Sequence, residues 1–179
     1  MNLPNKLTLL RVLIIPVFLY FYMSEPLAEE VSRWVALILF SVAAITDALD
    51  GYLARKYKLV TNFGKLMDPL ADKLLVCSAF VAFVASGTLP AWVVILLICR
   101  EFYITGLRQL ALEQNLVLAS SAGGKIKTVV QIVLIIYLLQ PIQLLYHPLI
   151  VDILVVVSVV SSVASAAIYT ARNISKLRT

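Results

Sequence analysis

Long hydrophobic runs, separated by short polar breaks, extend along almost the whole chain. The runs are close to the length of about 20 apolar residues that an α-helix needs to cross the hydrocarbon of a bilayer. The breaks are polar or carry glycine and proline, which end helices. The pattern predicts an all-α integral membrane protein with six transmembrane helices, over residues 5–23, 32–56, 65–86, 90–113, 124–140 and 148–172.

The composition agrees with this pattern. Hydrophobic residues make up 61% of the 179 residues and charged residues 14%, which lies outside the usual range of soluble domains. Six crossings use nearly the whole length, so residues 1–179 are predicted to form one transmembrane domain. Any chemistry must then be carried by the helices and their short connections.

Most basic residues fall on one side of the six-helix pattern. Because lysine and arginine accumulate on the cytoplasmic side of membranes, both termini are predicted to be cytoplasmic. The net charge of +5 reflects this sidedness and attraction to anionic headgroups, so nucleic acid is not an expected partner. The basic residues on this side are Lys6, Arg11, Arg55, Lys56, Lys58, Lys65, Arg108, Lys125, Lys127, Arg172, Lys176 and Arg178.

Four aspartates, Asp47, Asp50, Asp68 and Asp72, lie near the cytoplasmic ends of the second and third predicted helices. A charge near lipid costs at least ~2.5 kcal/mol, so four of them need a compensating partner. Their spacing places each pair on one helix face, and carboxylate oxygens favour hard divalent ions such as Mg²⁺, Mn²⁺ or Ca²⁺. The sequence predicts a two-metal site that binds a phosphoryl group. Helix-end salt bridges with neighbouring cations are the alternative.

These aspartates belong to a longer motif. It reads Asp47, two residues, Asp50-Gly51, two residues, Ala54-Arg55, eight residues, Gly64, three residues, Asp68, three residues and Asp72. The residue at every fixed position matches the motif of the CDP-alcohol phosphotransferase family, so the chain resembles that family.

The resemblance implies a fold and a chemistry. The fold would have six helices and form a homodimer, and the four aspartates would hold two divalent metal ions, Mg²⁺ or Mn²⁺. Asp72 would act as the base. The residues implied to line the site of the CDP moiety are Gly51, Ala54, Arg55 and Gly64, and we add Asp50 and Lys65 as contacts of the donor lipid.

Shorter stretches resemble the bacterial branch of this family that uses sn-glycerol 3-phosphate as the acceptor. They are LPNKLTLLRVLIIP, NFGKLMDPLADKLL, CREFYITGLRQLA and GKIKT. The branch implies CDP-diacylglycerol as donor, phosphatidylglycerol phosphate and CMP as products, and a multi-pass protein of the bacterial inner (cytoplasmic) membrane with its active site facing the cytoplasm. The alternatives are a cardiolipin, phosphatidylserine or phosphatidylinositol-phosphate synthase, a divalent-cation transporter, and a non-catalytic scaffold.

Two further groups of polar residues complete the candidate site. A second basic cluster, in which Glu101 follows Arg100, is predicted to bind the phosphate of the acceptor, although Lys127 could equally extend to lipid headgroups. A polar stripe on the first helix has two possible interpretations: it borders the donor or acceptor site, or it has no role in the site. The cluster is Arg100, Arg108, Lys125 and Lys127, and the stripe is Asn5, Thr8 and Arg11.

Overall fold

The structure is a computed structural model. It describes residues 3–57, 62–114, 116, 118, 122–142 and 147–177, with the side chains of 9–46, 73–114, 116, 118, 123–142 and 147–173. Within this part of the chain every regular element is helical, which confirms the all-α prediction. The six helices are α1 (Leu3–Ser24), α2 (Glu29–Tyr57), α3 (Asn62–Ala85), α4 (Ala91–Glu113), α5 (Ala122–Leu139) and α6 (Pro148–Leu177).

Three helix ends differ from the sequence prediction by three residues or more, namely the starts of α2 and α3 and the end of α6. Helix α3 begins at Asn62, where the prediction placed its start at residue 65. Helix α2 begins at Glu29, three residues before the predicted start, because carboxylates in a first turn interact favourably with the positive end of the helix dipole. Glu29 also pairs with Arg33 one turn later at 3.0 Å. Helix α6 continues to Leu177, since no proline or glycine follows Arg172 to end it.

The turn after α3 is formed where glycine and proline predicted a break. Gly87 has φ of +72°, a left-handed conformation that residues with a Cβ rarely adopt. Pro90 then precedes the first residue of α4 with φ of −69°.

The chain forms two compact units. The first comprises Met1–Thr88 with Ile135–Gln143, and the second comprises Leu89–Leu134 with Leu144–Thr179. In the first unit α1 packs against α2 and α3, and α2 packs against α3. Aromatic rings fill the contact, with centroids 5.9 Å apart for Phe18 and Phe40 and 5.4 Å apart for Tyr22 and Phe83.

In the second unit α4 packs against α6. Its buried apolar residues include Val93, Leu97 and Ile104, which follow one face of α4. The opposite face is apolar but exposed, with Trp92, Phe102 and others more than half accessible. An apolar exterior of this kind is typical of a protein surrounded by lipid.

One helical stretch in the described part of the chain, Pro148–Asn173, is long and apolar enough to cross a membrane by length and composition. Leu9–Ser24 and Lys73–Ala85 are shorter apolar stretches. The observed helices thus agree with the predicted number and order, while six membrane crossings and a single domain over residues 1–179 stay predictions.

Candidate functional site

The predicted metal ligands lie on two helices of the first unit. Asp47 and Asp50 belong to α2, and Asp68 and Asp72 belong to α3. Their side chains are outside the described residues, as are the other predicted donor-lipid contacts, so the metal and donor sites stay predictions. Those contacts are Asn5, Thr8, Gly51, Ala54, Arg55, Gly64 and Lys65.

Arg11 is the one member of the α1 polar stripe whose side chain is described. It is fully buried in the first unit. It shares the buried face of α1 with Ile15, Phe18 and Tyr22, at steps of three and four residues. A guanidinium inside an apolar bundle must serve a polar partner or ligand, since burying an isolated charge is strongly unfavourable.

The second unit holds a buried ion cluster that joins α4 to α5. The Glu101 carboxylate lies at its centre, and its Oε1 accepts hydrogen bonds from Arg100 Nη1 at 3.0 Å and from Lys127 Nζ. The exposed fractions of the side chains are 10% for Arg100, 15% for Glu101 and 3% for Lys127. We call these three residues the ion cluster. Lys127 therefore points into the unit and is not extended to headgroups.

Helix α6 completes the surroundings of Arg100. Arg100 Nε donates to the carbonyl oxygen of Ser162 at 3.3 Å, and Nη2 donates to Ser165 Oγ at 2.8 Å. Ser165 Oγ in turn donates to the Ser162 carbonyl at 2.9 Å. These bonds fix the plane of the guanidinium, so its position is set before any ligand binds.

Arg108, eight residues after Arg100 on α4, is held by a tyrosine of α6. Its Nε donates to the Tyr169 hydroxyl at 3.2 Å, and its guanidinium carbon lies 5.3 Å from the centroid of the Tyr169 ring. Tyr169 is buried, and its carbonyl accepts a hydrogen bond from Asn173 at 2.8 Å. Arg108 is half-buried, so part of its guanidinium remains available to a ligand.

The charges of the second unit favour an anion. Within the ion cluster two positive charges face one negative charge, and Arg108 adds another cation on α4. Of the predicted acceptor-binding residues, Arg100 and Lys127 are brought together through Glu101. Arg108 is positioned separately by Tyr169, and Lys125 is exposed. Such partly desolvated arginine and lysine groups are suited to a phosphate.

The partners on α6 were not predicted from the sequence. Ser165 and Tyr169 position the two arginines, yet α6 reads as a generic apolar helix. One signal was available, namely the serines at steps of three and four residues in the stretch SVVSSVASA, which place hydroxyls along one helix face. Small polar residues of this kind are typical of helix contacts in membranes.

Comparison with known proteins gives a family model and relatives that cover most of the chain. The model of the CDP-alcohol phosphatidyltransferase family matches residues 1–167. A CDP-diacylglycerol--glycerol-3-phosphate 3-phosphatidyltransferase of Bacillus subtilis (strain 168) is 42% identical over 190 residues, covering 99% of this chain and 98% of the relative.

Two further relatives are similar over a shorter length. A probable phosphatidylglycerophosphate synthase of Mycobacterium tuberculosis (strain ATCC 25618 / H37Rv) is 46% identical over 134 residues, covering 75% of this chain and 64% of the relative. A CDP-diacylglycerol--glycerol-3-phosphate 3-phosphatidyltransferase of Rickettsia bellii (strain RML369-C) is 43% identical over 131 residues, covering 73% of this chain and 70% of the relative.

Proposed function

Because the chain belongs to the CDP-alcohol phosphatidyltransferase family, we propose that it transfers the phosphatidyl group of CDP-diacylglycerol to sn-glycerol 3-phosphate. The products are phosphatidylglycerol phosphate and CMP. The names of the relatives in Bacillus subtilis and Rickettsia bellii support this donor and acceptor, and the first of these relatives matches almost the full length of both chains.

The observation that carries the choice of a phosphorylated acceptor is the ion cluster. Arg100 and Lys127 are buried on a single carboxylate oxygen, which leaves an excess positive charge in a site of low exposure. Arg108, and Lys125 near the start of α5, extend the positive region. An acceptor without a phosphate would leave this charge uncompensated, so the cluster favours glycerol phosphate over an uncharged alcohol.

The helix registers of the first unit are compatible with a metal site. The buried face of α2 follows Ala36, Phe40 and Ala43, and the same steps of three and four residues lead on to Asp47 and Asp50. On α3 the spacing is similar. Leu75 and Ala79 are buried, and Asp72 and Asp68 precede Leu75 by three and seven residues. These four oxygen donors suit a hard divalent ion, so the donor set fits two Mg²⁺ or Mn²⁺ ions.

The bond changes of the reaction follow from its substrates. The primary hydroxyl of glycerol phosphate attacks the phosphorus that bears diacylglycerol, and the bond from this phosphorus to the oxygen of CMP breaks. Asp72 receives the hydroxyl proton. Arg55 interacts with the phosphates of the donor, and Asn5, Thr8, Asp50, Gly51, Ala54, Gly64 and Lys65 complete its binding. Bound metal ions would supply neutralisation of the pyrophosphate charge.

The proposed setting is the bacterial inner membrane. The chain crosses this membrane six times, with both termini and the active site on the cytoplasmic side. The acyl chains of the donor then stay in lipid, and the water-soluble acceptor reaches the site from the cytoplasm. The apolar exposed faces of α4 and α6 support lipid contact. We also propose that the protein forms a homodimer.

The test is CMP release by the purified protein with CDP-diacylglycerol and a panel of acceptors, with and without Mg²⁺ or Mn²⁺. The panel contains sn-glycerol 3-phosphate, phosphatidylglycerol, serine and inositol phosphate. Release that depends on metal and on glycerol phosphate supports the proposal. Release with another acceptor alone would assign a different member of the family, and metal flux into proteoliposomes without CMP would assign a transporter.

A further inference from the structure

Three buried polar atoms beside the ion cluster have no hydrogen-bond partner in the described part of the chain. They are Gln131 Nε2 on α5 and the hydroxyl oxygens of Ser158 and Ser162 on α6. Gln131 is 2% exposed, and both serines are fully buried. Buried donors and acceptors in native proteins are nearly always paired, so we expect these atoms to have a partner that the described residues do not supply.

The helices of the second unit place these groups in successive layers. Gly123 of α5 lies against Ser165, since a Cβ at this glycine would be 3.4 Å from the Ser165 Cβ, and Lys127, one turn later, bonds Glu101 of α4. Arg100 in turn contacts Ser162 and Ser165. Helix α5 therefore contacts both α4 and α6 near the ion cluster.

Gln131 lies one turn after Lys127 on α5, and Ser158 lies one turn before Ser162 on α6; we call these two residues the next layer. A turn of four residues advances about 6 Å along a helix. The corresponding position of α4 is Leu97, which is buried and apolar, and Val93 and Val94 follow. On α6 the carbonyl oxygen of Ser162, one turn from Ser158, accepts a hydrogen bond from Arg100 Nε.

The chemistry of this layer suits an uncharged hydroxyl. A hydroxyl can accept from the Gln131 amide and also pair with a serine hydroxyl. The charge for an anion is supplied one layer away, by Arg100 and Lys127. A three-carbon backbone can reach from a phosphate on the ion cluster to a hydroxyl partner one turn further.

We propose that Gln131, with Ser158 and Ser162, binds the C2 hydroxyl of glycerol phosphate and thereby selects an acceptor with a glycerol backbone. The C2 hydroxyl is the one that the reaction leaves unchanged, so it is free to stay hydrogen-bonded throughout. This inference rests on the proposed function. It makes Gln131 a specificity residue, which acts on the backbone of the acceptor and not on its phosphate.

The test compares sn-glycerol 3-phosphate with 3-hydroxypropyl phosphate, the analogue that lacks the C2 hydroxyl, by kcat/KM for CMP release. The wild type is expected to prefer glycerol phosphate. In Gln131→Met, which keeps the length of the side chain and removes its hydrogen bonds, the preference should fall about tenfold or more. Gln109→Met, at an exposed position of α4, is the matched control and should keep the wild-type preference.

A purely structural role, or a role in holding water, would lower both kcat/KM values in parallel. An unchanged ratio in Gln131→Met would therefore overturn the inference. Should that variant fail to fold, the double variant Ser158→Ala and Ser162→Ala carries the same comparison, with a smaller fall expected. Absence of CMP release by the wild type with glycerol phosphate would refute the proposed function itself.

Discussion

Lys127 and Glu101 form a buried ion pair between α5 and α4, and the same carboxylate oxygen also binds Arg100. A single acidic side chain thus sets the positions of two cations that come from different helices. Because it neutralises only one of them, it positions the cations and still leaves the site positive.

Glu101→Gln is expected to destabilise the protein and weaken acceptor binding. Removing one partner of a buried ion pair typically costs about 3–5 kcal/mol, because the remaining charges are left uncompensated. The melting temperature in detergent should fall, and the KM for glycerol phosphate should rise more than the KM for CDP-diacylglycerol. Glu113→Gln, at the exposed end of α4, is the control. Unchanged melting and KM in Glu101→Gln would show that the cluster is not important.

Arg108→Ala and Lys125→Ala should each raise the KM for glycerol phosphate, by roughly tenfold if each cation contributes about 1.4 kcal/mol to binding. The KM for CDP-diacylglycerol should change much less. Arg172→Ala, an exposed basic residue of α6, is the comparison. Equal effects on both substrates would mean that these residues do not bind the acceptor.

Tyr169→Phe tests whether α6 positions Arg108. The change removes the hydroxyl that accepts from Arg108 Nε at 3.2 Å and keeps the ring beneath the guanidinium. A hydrogen bond from a charged group contributes about 1.5–3 kcal/mol, so the KM for glycerol phosphate should rise at least several-fold. In the double variant with Arg108→Ala, Tyr169→Phe should add nothing further; independent effects would contradict the proposed pairing.

Asp72→Asn should reduce CMP release by about 10²-fold or more, because it removes the proposed base and a proposed metal ligand. Asp152→Asn, exposed on α6, should keep full activity. Activity lost with EDTA should return with Mg²⁺ or Mn²⁺ in the wild type. Undiminished release by Asp72→Asn would remove this residue from the mechanism.

Leucine substitutions at two helical glycines, Gly123 and Gly106, test the contact between α5 and α6. A Cβ at Gly123 meets Ser165 at 3.4 Å, whereas a Cβ at Gly106 meets nothing within 4 Å. Gly123→Leu should therefore separate the helices and raise the KM for glycerol phosphate through Ser165 and Arg100. Gly106→Leu should leave the KM unchanged and stabilise α4 by roughly 0.5–1 kcal/mol. Similar KM values in the two variants would argue against the contact.

The sequence predicts the helices far better than their partners. Apolar runs and the breaks at Gly87 and Pro90 determine where helices end, and these signals are local. The predicted start of α2 is three residues too late because Glu29 and Glu30 resemble loop residues, whereas their charges favour a helix start.

The candidate site was predictable only in part. The types of residue in the ion cluster follow from charge and spacing, and their cytoplasmic side stays a prediction. Which residues pair does not, because Glu101 and Lys127 are 26 residues apart and Arg100 and Ser165 are 65 apart. Such contacts depend on how the helices pack, which no periodicity within one helix specifies.

The pair of Glu101 and Lys127 also bears on how the protein enters a membrane. Each charge would cost about 2.5–3.5 kcal/mol at the centre of a helix that inserts alone. Helix α4 is synthesised first and cannot meet Lys127 until the first turns of α5 have left the ribosome. Under the prediction of six membrane crossings, stable insertion of α4 is therefore expected to await α5, so that the two helices enter the bilayer as one hairpin.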